Sequence, residues 1–328
     1  MKIITIKPNE ADQRLDKFLA KYMDKAPKSF FYKMLRKKNI TLNKRKAGGN
    51  ERLRTGDEIC LFLSDETIEN FTTSRIYMGE KPAGTPRLSV IYEDSHILIL
   101  DKPAGLLSQK AAPEDVSLVE LMIGYLLESG RISEEELRSF RPGICSRLDR
   151  NTSGLVTAGK SLAGLQAMNE LIREHKLRKF YRCIVSGVIE KQQRIEGWLK
   201  KDERTNQVVI FEKEQKNSRF ICTEYFPLET ISEGGRAYTC LEVHLITGRS
   251  HQIRAHLASI GHPLIGDAKY GNPAINRYFR EHFGLEHQLL HAFRLEFPPL
   301  TGTLGNLSGR QFTAPLPQIF EILKTKDK

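Results

Sequence analysis

A single break in hydrophobic patterning limits what this chain can fold into. Residues 65–87, "DETIENFTTSRIYMGEKPAGTPR", run without apolar periodicity and gather Gly and Pro. The spacing therefore predicts a linker between a small domain over 1–64 and a larger one over 88–328. A chain of 328 residues exceeds what one small core can organise, in agreement with that division. The two parts differ in charge. Residues 1–64 hold 16 Lys and Arg against 7 Asp and Glu, which is +9 of the formal net +11. A merely soluble basic surface would spread that excess along the chain, so its concentration at the front predicts a polyanionic partner.

Within the front part, Leu15, Phe18, Leu19 and Tyr22 recur at helical spacing and predict a short amphipathic helix over 12–22 with Asp12 as its N-cap. After Pro27 a second helix sets Phe31, Met34 and Leu35 on one face and Lys33, Arg36 and Lys37 on the other. "ITLNKRKAGGNERLRTGDEICLFL" then predicts two short strands around a basic, glycine-containing turn that carries Lys44, Arg45 and Lys46. These two elements supply the candidate phosphate contacts Lys33, Arg36, Lys37, Lys44, Arg45 and Lys46.

Beyond the linker, Val90 to Tyr92, Ile97 to Leu100, "LVTAG", "KFYRCIVSGVI" and "YTCLEVHLIT" read as strands, with "KPAG" as a turn. One helix is expected from about Ser161 to His175 with Leu165, Met168 and Ile172 as its apolar stripe. Another, "SHQIRAHLASI", takes Ser250 as N-cap, buries Ile253, Leu257 and Ile260, and stops at Gly261 and Pro263. Strands outnumber helices without alternating strictly with them, which predicts an α+β domain with a mixed sheet rather than a doubly wound one.

Several chemistries lack support. No apolar run is long enough to span a bilayer, and the start turns polar after Ile6, so neither a membrane helix nor a signal peptide is expected and the location implied is cytoplasmic. The five cysteines are scattered and never form C-x-x-C, which predicts reduced, mostly buried thiols. There is no phosphate loop, dinucleotide fingerprint or serine-hydrolase elbow, and His251 and His256 fall on different helix faces, so no metal site is expected. What remains is a set of loop arginines, a carboxylate at Asp149 between Arg147 and Arg150, and a strand tyrosine, Tyr181. An Asp before "TSG" is by default a turn residue.

The stretches "RLDRNTSGL" (147–155), "KFYRCIVSG" (179–187) and "TGRSHQIRAHLASIGHPLIGDAKYG" (247–271) resemble the signatures of the RluA-type pseudouridine synthase family. "LDKPAGL" before them and "LLHAFRLEFPPLTG" with "FTAPLP" after them extend the likeness over residues 88–317. The front pieces "RLDKFL", "LNKRK" and "GDEI" are similar to an S4-like RNA-binding domain over 12–64. The resemblance implies an α+β catalytic domain with a mixed, mainly antiparallel sheet behind a small α+β domain of the S4 kind. It implies an RNA uridine isomerase without cofactor or metal, with large-subunit ribosomal RNA as the expected substrate; a monomer is expected.

In that family pattern Asp149 is the catalytic carboxylate, acting at C1′ or C2′ of the ribose, Tyr181 backs the uracil, Arg254 partners Asp149, and Arg147 takes the place of the extruded nucleotide. The residue types suit these tasks. An ionised carboxylate beside a base needs a nearby cation, and a guanidinium can both neutralise and aim it. A tyrosine offers a stacking face and a hydroxyl, and a base inside a helix is out of reach until flipped. Ser146 stands where the family more often has His. Asp267 reads as a turn residue, and Gly154 and Gly105 as backbone requirements. Competing readings are the same chemistry on transfer RNA, a non-catalytic RNA-binding ribosome-assembly protein, and a glycosidase, for which no second carboxylate is evident.

Overall fold

The computed structural model describes residues 1–72, 86–202 and 204–325. The front unit comprises β1 (Lys2–Thr5), α1 (Leu15–Tyr22), α2 (Lys28–Arg36), β2 (Ile40–Leu42), β3 (Arg45–Lys46), β4 (Glu58–Leu61) and α3 (Asp65–Asn70). Its strands form an antiparallel sheet in the order β1-β4-β2-β3. The amphipathic faces of α1 and α2 bury Leu15, Phe18, Leu19, Phe31 and Leu35 against Ile40, Ile59 and Leu61. Lys33, Arg36, Lys37, Lys44, Arg45 and Lys46 are left exposed.

Three local expectations are corrected here. The first helix starts at Leu15 with Arg14 at the N-cap, not at Asp12. Asp12 turns at a φ of 60°, and the amides of Asp12 and Leu15 donate to Leu53 and Glu51 carbonyls, so long-range backbone pairing displaces the local cap. The basic turn is tighter than expected. Asn43 and Lys44 alone connect β2 to β3, both with positive φ as a primed hairpin turn requires. The expected linker, finally, begins as structure. Ser64 caps α3, whose Ile68 joins the front core together with the following Phe71, and the Phe71 ring lies 4.5 Å from that of Phe30. The rest of the linker reading, 73–85, falls outside the described residues.

The larger unit contains β5 (Ser89–Glu93), β6 (Ile97–Lys102), α4 (Leu118–Glu128), α5 (Glu134–Ser139), β7 (Gly143–Ile144), β8 (Ser153–Gly159), α6 (Leu162–Arg173) and β9 (Arg178–Ser186). It continues with β10 (Gln193–Asp202), β11 (Gln207–Phe211), β12 (Arg219–Glu233), β13 (Arg236–Leu245), α7 (Gln252–Ser259), α8 (Pro273–Phe283), β14 (Leu290–Glu296), β15 (Gln311–Thr313) and α9 (Gln318–Thr325). Its 11-stranded sheet runs β11-β10-β12-β13-β9-β14-β8-β6-β5, with β15 on β14 and β7 on β8. The pairing of β8 with β14 is parallel and the other pairings are antiparallel, as an α+β mixed sheet was expected to be. That parallel seam joins two antiparallel blocks. Gly154 makes it possible, since at a φ of 106° an added Cβ would sit 2.3 Å from the Ala292 carbonyl oxygen.

The sheet buries both faces. On β6 and β8, Leu98, Leu100 and Val156 pack with α4, whereas Ile97, Ile99 and Leu155 pack with α6. On β9 and β13, Tyr181, Cys183, Leu241 and Val243 pack with Ile253 and Leu257 of α7, whereas Ile184 and Cys240 pack with α8 and α9. The stripe of α6 is centred on Gly164, Met168 and Leu171, leaving Leu165 and Ile172 half-buried. In α7 the N-cap is His251, in the left-handed region at a φ of 55°, rather than Ser250, and Ile260 is exposed at 36% because the helix stops at Ser259. All five cysteines are free, with Cys60, Cys183, Cys222 and Cys240 buried. The front unit meets the body at α5, where Lys7 Nζ donates to Glu136 Oε1 at 3.0 Å and Ser139 bonds the buried Glu10 carboxylate. Among the described residues no helix is long and apolar enough to cross a membrane.

Candidate active site

Asp149 lies in the loop that enters β8, and its neighbours are clamped on both sides. Ser108 Oγ donates to the Leu148 carbonyl at 2.7 Å and accepts the Leu148 N–H at 3.1 Å. On the other side Lys102, fully buried at the end of β6, donates from Nζ to the carbonyls of Pro103 (2.8 Å), Leu106 (2.7 Å) and Arg150 (2.9 Å). Burial brings the Lys102 ammonium down to about 8, against the opposing pull of Asp149 and Asp101. The Leu148 side chain packs against the clusters on both blocks of the sheet, so the loop is seated at the parallel seam. Thr152 N–H closes the turn on the Asp149 carbonyl at 3.1 Å. The Asp149 carboxylate, with 27% of its side chain exposed, is thus held at the surface of a packed core.

Its partner is Arg254, which is buried rather than on a solvated helix face. Arg254 Nη1 donates to Asp149 Oδ2 at 2.8 Å, while Nε and Nη2 donate to Asp267 Oδ2 (2.7 Å) and Oδ1 (2.9 Å). The guanidinium also lies 5.3 Å above the Tyr270 ring. Asp267 has no exposed surface and accepts the amides of Lys269 (2.8 Å) and Tyr270 (3.1 Å). Burial is the largest single influence on the Asp267 carboxyl and raises its pKa. The Arg254 bonds and charge with the two amides outweigh it and hold the group below its ordinary value. For Arg254 burial works against the charge, and the two carboxylates more than restore it, so its pKa is raised. A bidentate buried carboxylate fixes the guanidinium plane and leaves one N–H pair aimed at Asp149.

The remaining walls are His251 and Tyr181. His251 Nε2 is 3.9 Å from Asp149 Oδ2, and its Nδ1 shares a 2.9 Å hydrogen bond with Tyr270 Oη, which accepts the Val208 N–H at 2.9 Å. Burial lowers the His251 pKa, with Asp149 pulling the other way, so the ring is neutral near pH 7. Tyr181, on the α7 face of β9, has a raised pKa caused first by burial and then by the negative Asp149. Its hydroxyl makes no hydrogen bond to a described residue and keeps its proton, which suits stacking and donation rather than proton abstraction.

The structure therefore brings Asp149, Tyr181 and Arg254 together, with Arg147 exposed two residues from the carboxylate. It adds Asp267, Lys102, His251 and Tyr270, whose roles the sequence reading missed. Asp267 was read as a turn residue, and its two amide bonds do form a turn of that kind; the buried second face toward Arg254 left no local signal. Ser146 points back into the strand, accepting the Thr157 N–H at 3.2 Å with Thr157 Oγ1 also at 3.2 Å. His256 is core, 3.0 Å from Thr223 Oγ1 and lowered to about 4 by burial. The basic residues of α2 and the β2–β3 hairpin form no ion pair with this cluster. Among the described residues no group of three or more His, Cys, Asp or Glu side chains converges as a metal site.

Comparisons with known proteins identify the family. A family model described as RNA pseudouridylate synthase matches residues 96–259, a span that includes Asp149, Tyr181 and Arg254. An RNA pseudouridine synthase of Mycoplasma genitalium is 31% identical, covering 96% of this chain and 97% of the relative. Ribosomal large subunit pseudouridine synthase C of Escherichia coli strain K12 is 31% identical, over 92% of this chain and 90% of its own. The solved structure of human RNA pseudouridylate synthase domain containing 1 has the same fold, with a TM-score of 0.53 at 22% identity, covering 74% of this chain and 97% of that one. Fold and sequence together define a pseudouridine synthase. The chain belongs to the RluA-type RNA pseudouridine synthase family, enzymes that isomerise uridine to pseudouridine in RNA.

Proposed function

We propose that the uridines this enzyme isomerises lie in large-subunit ribosomal RNA, and that Asp149 is the group that acts on the ribose of a flipped-out uridine. The observation that carries the catalytic part is the fixed line Asp267–Arg254–Asp149, which points a carboxylate outward with a full positive charge 2.8 Å behind it. Asp149 attacks C1′ or takes the C2′ proton. Attack forms a C1′–carboxylate ester as the C1′–N1 bond breaks, whereas removal of the C2′ proton expels the base and leaves a C1′–C2′ double bond. The freed uracil turns against Tyr181 and bonds C1′ through C5, displacing Asp149 from the ester or with the proton returned from Asp149 to C2′. The C5 proton leaves and N1 gains one, so the product is an isomer of the substrate. Binding energy goes into holding the sugar against a preset carboxylate, which needs no group from outside the protein.

The ribosomal assignment is supported by relatives named for the large subunit and by the basic front unit. In this reading Arg147, exposed beside Asp149, enters the RNA stack in place of the extruded nucleotide. Lys33, Arg36 and Lys37 on α2, with Lys44, Arg45 and Lys46 on the hairpin, hold phosphates. None of them is tied up in an ion pair with a described residue. The front unit, two helices on a small antiparallel sheet, serves as the S4-like RNA-binding domain. The test is a pseudouridine map of total RNA from a strain lacking the gene and its parent. Sites lost from large-subunit ribosomal RNA support the assignment, and losses confined to transfer RNA overturn it.

A further inference from the structure

Lys179 stands two residues before Tyr181 on β9, and strand alternation puts both side chains on the face that carries α7. The intervening Phe180 points the other way, where it stacks on His244 at 4.7 Å and lies under the Arg294 guanidinium at 4.1 Å. The cations of that opposite face are all matched: Arg178 with Glu296 at 2.7 Å, Arg182 with Glu242 at 3.1 Å, Arg294 with Glu242 at 3.0 Å. Lys179 is different. It makes no hydrogen bond or ion pair with any described residue, yet it is half-buried.

Its ammonium lies over the loop that leads into α7, where a Cβ added at Gly248 would stand 3.3 Å from Lys179 Nζ. The same loop delivers His251 to within 3.9 Å of Asp149. Three steps of chain, from Gly248 to His251, therefore link the contact with Lys179 to the contact with the carboxylate, a span of at most about 11 Å. Arg249, in that loop, and Arg147, two residues before Asp149, are exposed on the rim.

A half-buried ammonium with no protein partner takes its oxygen ligands from solvent or from a bound anion. Partial burial holds the Lys179 ammonium below its ordinary pKa, with no partner charge to offset it. A cation left unpaired at this loop, two residues along β9 from the tyrosine read as facing the uracil, is placed to be matched in the complex rather than in the free enzyme.

We propose that Lys179 is an RNA-binding residue of the site, contacting a backbone phosphate of the nucleotide extruded toward Asp149 or of its immediate neighbour. This rests on the reading of Asp149 and Tyr181 as the substrate-facing pair. A phosphate beside the flipped nucleotide provides the missing counter-charge, and the bare Gly248 leaves it room to approach. The contact fixes the sugar relative to the carboxylate and adds one released counterion to the salt dependence of binding.

The test uses the full-length protein, its Lys179→Met variant, and total cellular RNA labelled with 5-tritiated uridine, taken from cells lacking the enzyme and separated into large ribosomal and transfer RNA pools. On whichever pool wild type releases tritium, the variant should show a KM raised on the order of tenfold. Its KM should also depend less steeply on salt, and its melting temperature should not fall below wild type, because Lys179 makes no hydrogen bond or ion pair with a described residue that the substitution could remove. An unchanged KM, or a lowered melting temperature, would overturn the proposal by making Lys179 a spectator or a structural residue. Tritium released only from the transfer RNA pool would defeat the ribosomal assignment and leave the Lys179 result standing.

Discussion

Replacing Asp267 by Asn separates an orienting role from a mere turn. Asp267 is fully buried and Arg254 nearly so, and two of the guanidinium's hydrogen bonds end on this carboxylate. Asn retains one acceptor oxygen, enough for the amides of Lys269 and Tyr270, but its NH₂ then faces an Arg254 N–H. Stranding one partner of a buried ion pair costs roughly 3–5 kcal/mol, and because Asp149 still compensates part of the charge, the loss should fall near about 3 kcal/mol. Activity should suffer separately. A guanidinium freed to rotate no longer aims Asp149, and a displacement of about 1 Å at a reacting group costs on the order of a hundredfold in turnover.

The pH dependence has a definite sign. The folded pKa of Asp267 is depressed, so its contribution is fully present above the unfolded carboxylate value of about 3.9 and is lost as pH falls through the folded value. Urea titrations from neutral pH downward should show a constant gap between wild type and variant to about pH 5, closing in stronger acid. Equal midpoints at pH 7 together with unchanged kcat/KM would refute the reasoning.

Two further perturbations probe other levels of the structure. Changing Lys33, Arg36, Lys37, Lys44, Arg45 and Lys46 together to Gln should flatten the plot of log affinity for ribosomal RNA against log salt by up to about 4 to 5 units of slope, with the melting temperature little changed; an unaltered slope would show these charges to be merely solvated. Gly154→Ala should lower stability by about 2–5 kcal/mol in denaturant unfolding, since it combines a positive φ with a Cβ 2.3 Å from the Ala292 oxygen.

Legibility in the sequence followed the range of the forces involved. The amphipathic faces of α1 and α2 were readable because their apolar spacing is local, as were the central strands β6 and β9. The N-cap at Asp12 failed because residues 51–53 capture the preceding backbone, a partner some forty positions away. Helix α3 escaped notice because six residues are too few to show a period. In the candidate site, Asp149, Tyr181 and Arg254 were singled out through motif order. Asp267 and Lys102 were not, since an aspartate in a turn and a lysine before a proline look the same whether exposed or buried. Only the three-dimensional burial of their charged ends separates an orienting group from a solvated one.

The central claim is that Asp149 itself carries out the chemistry. Asp149→Asn keeps the shape and a contact to Arg254 while removing the charge, so the variant should bind ribosomal RNA and melt close to wild type. Release of tritium from 5-tritiated uridine in that RNA measures the isomerisation directly, because the C5 proton must leave. The account predicts no release above background from the variant; turnover within tenfold of wild type would contradict it.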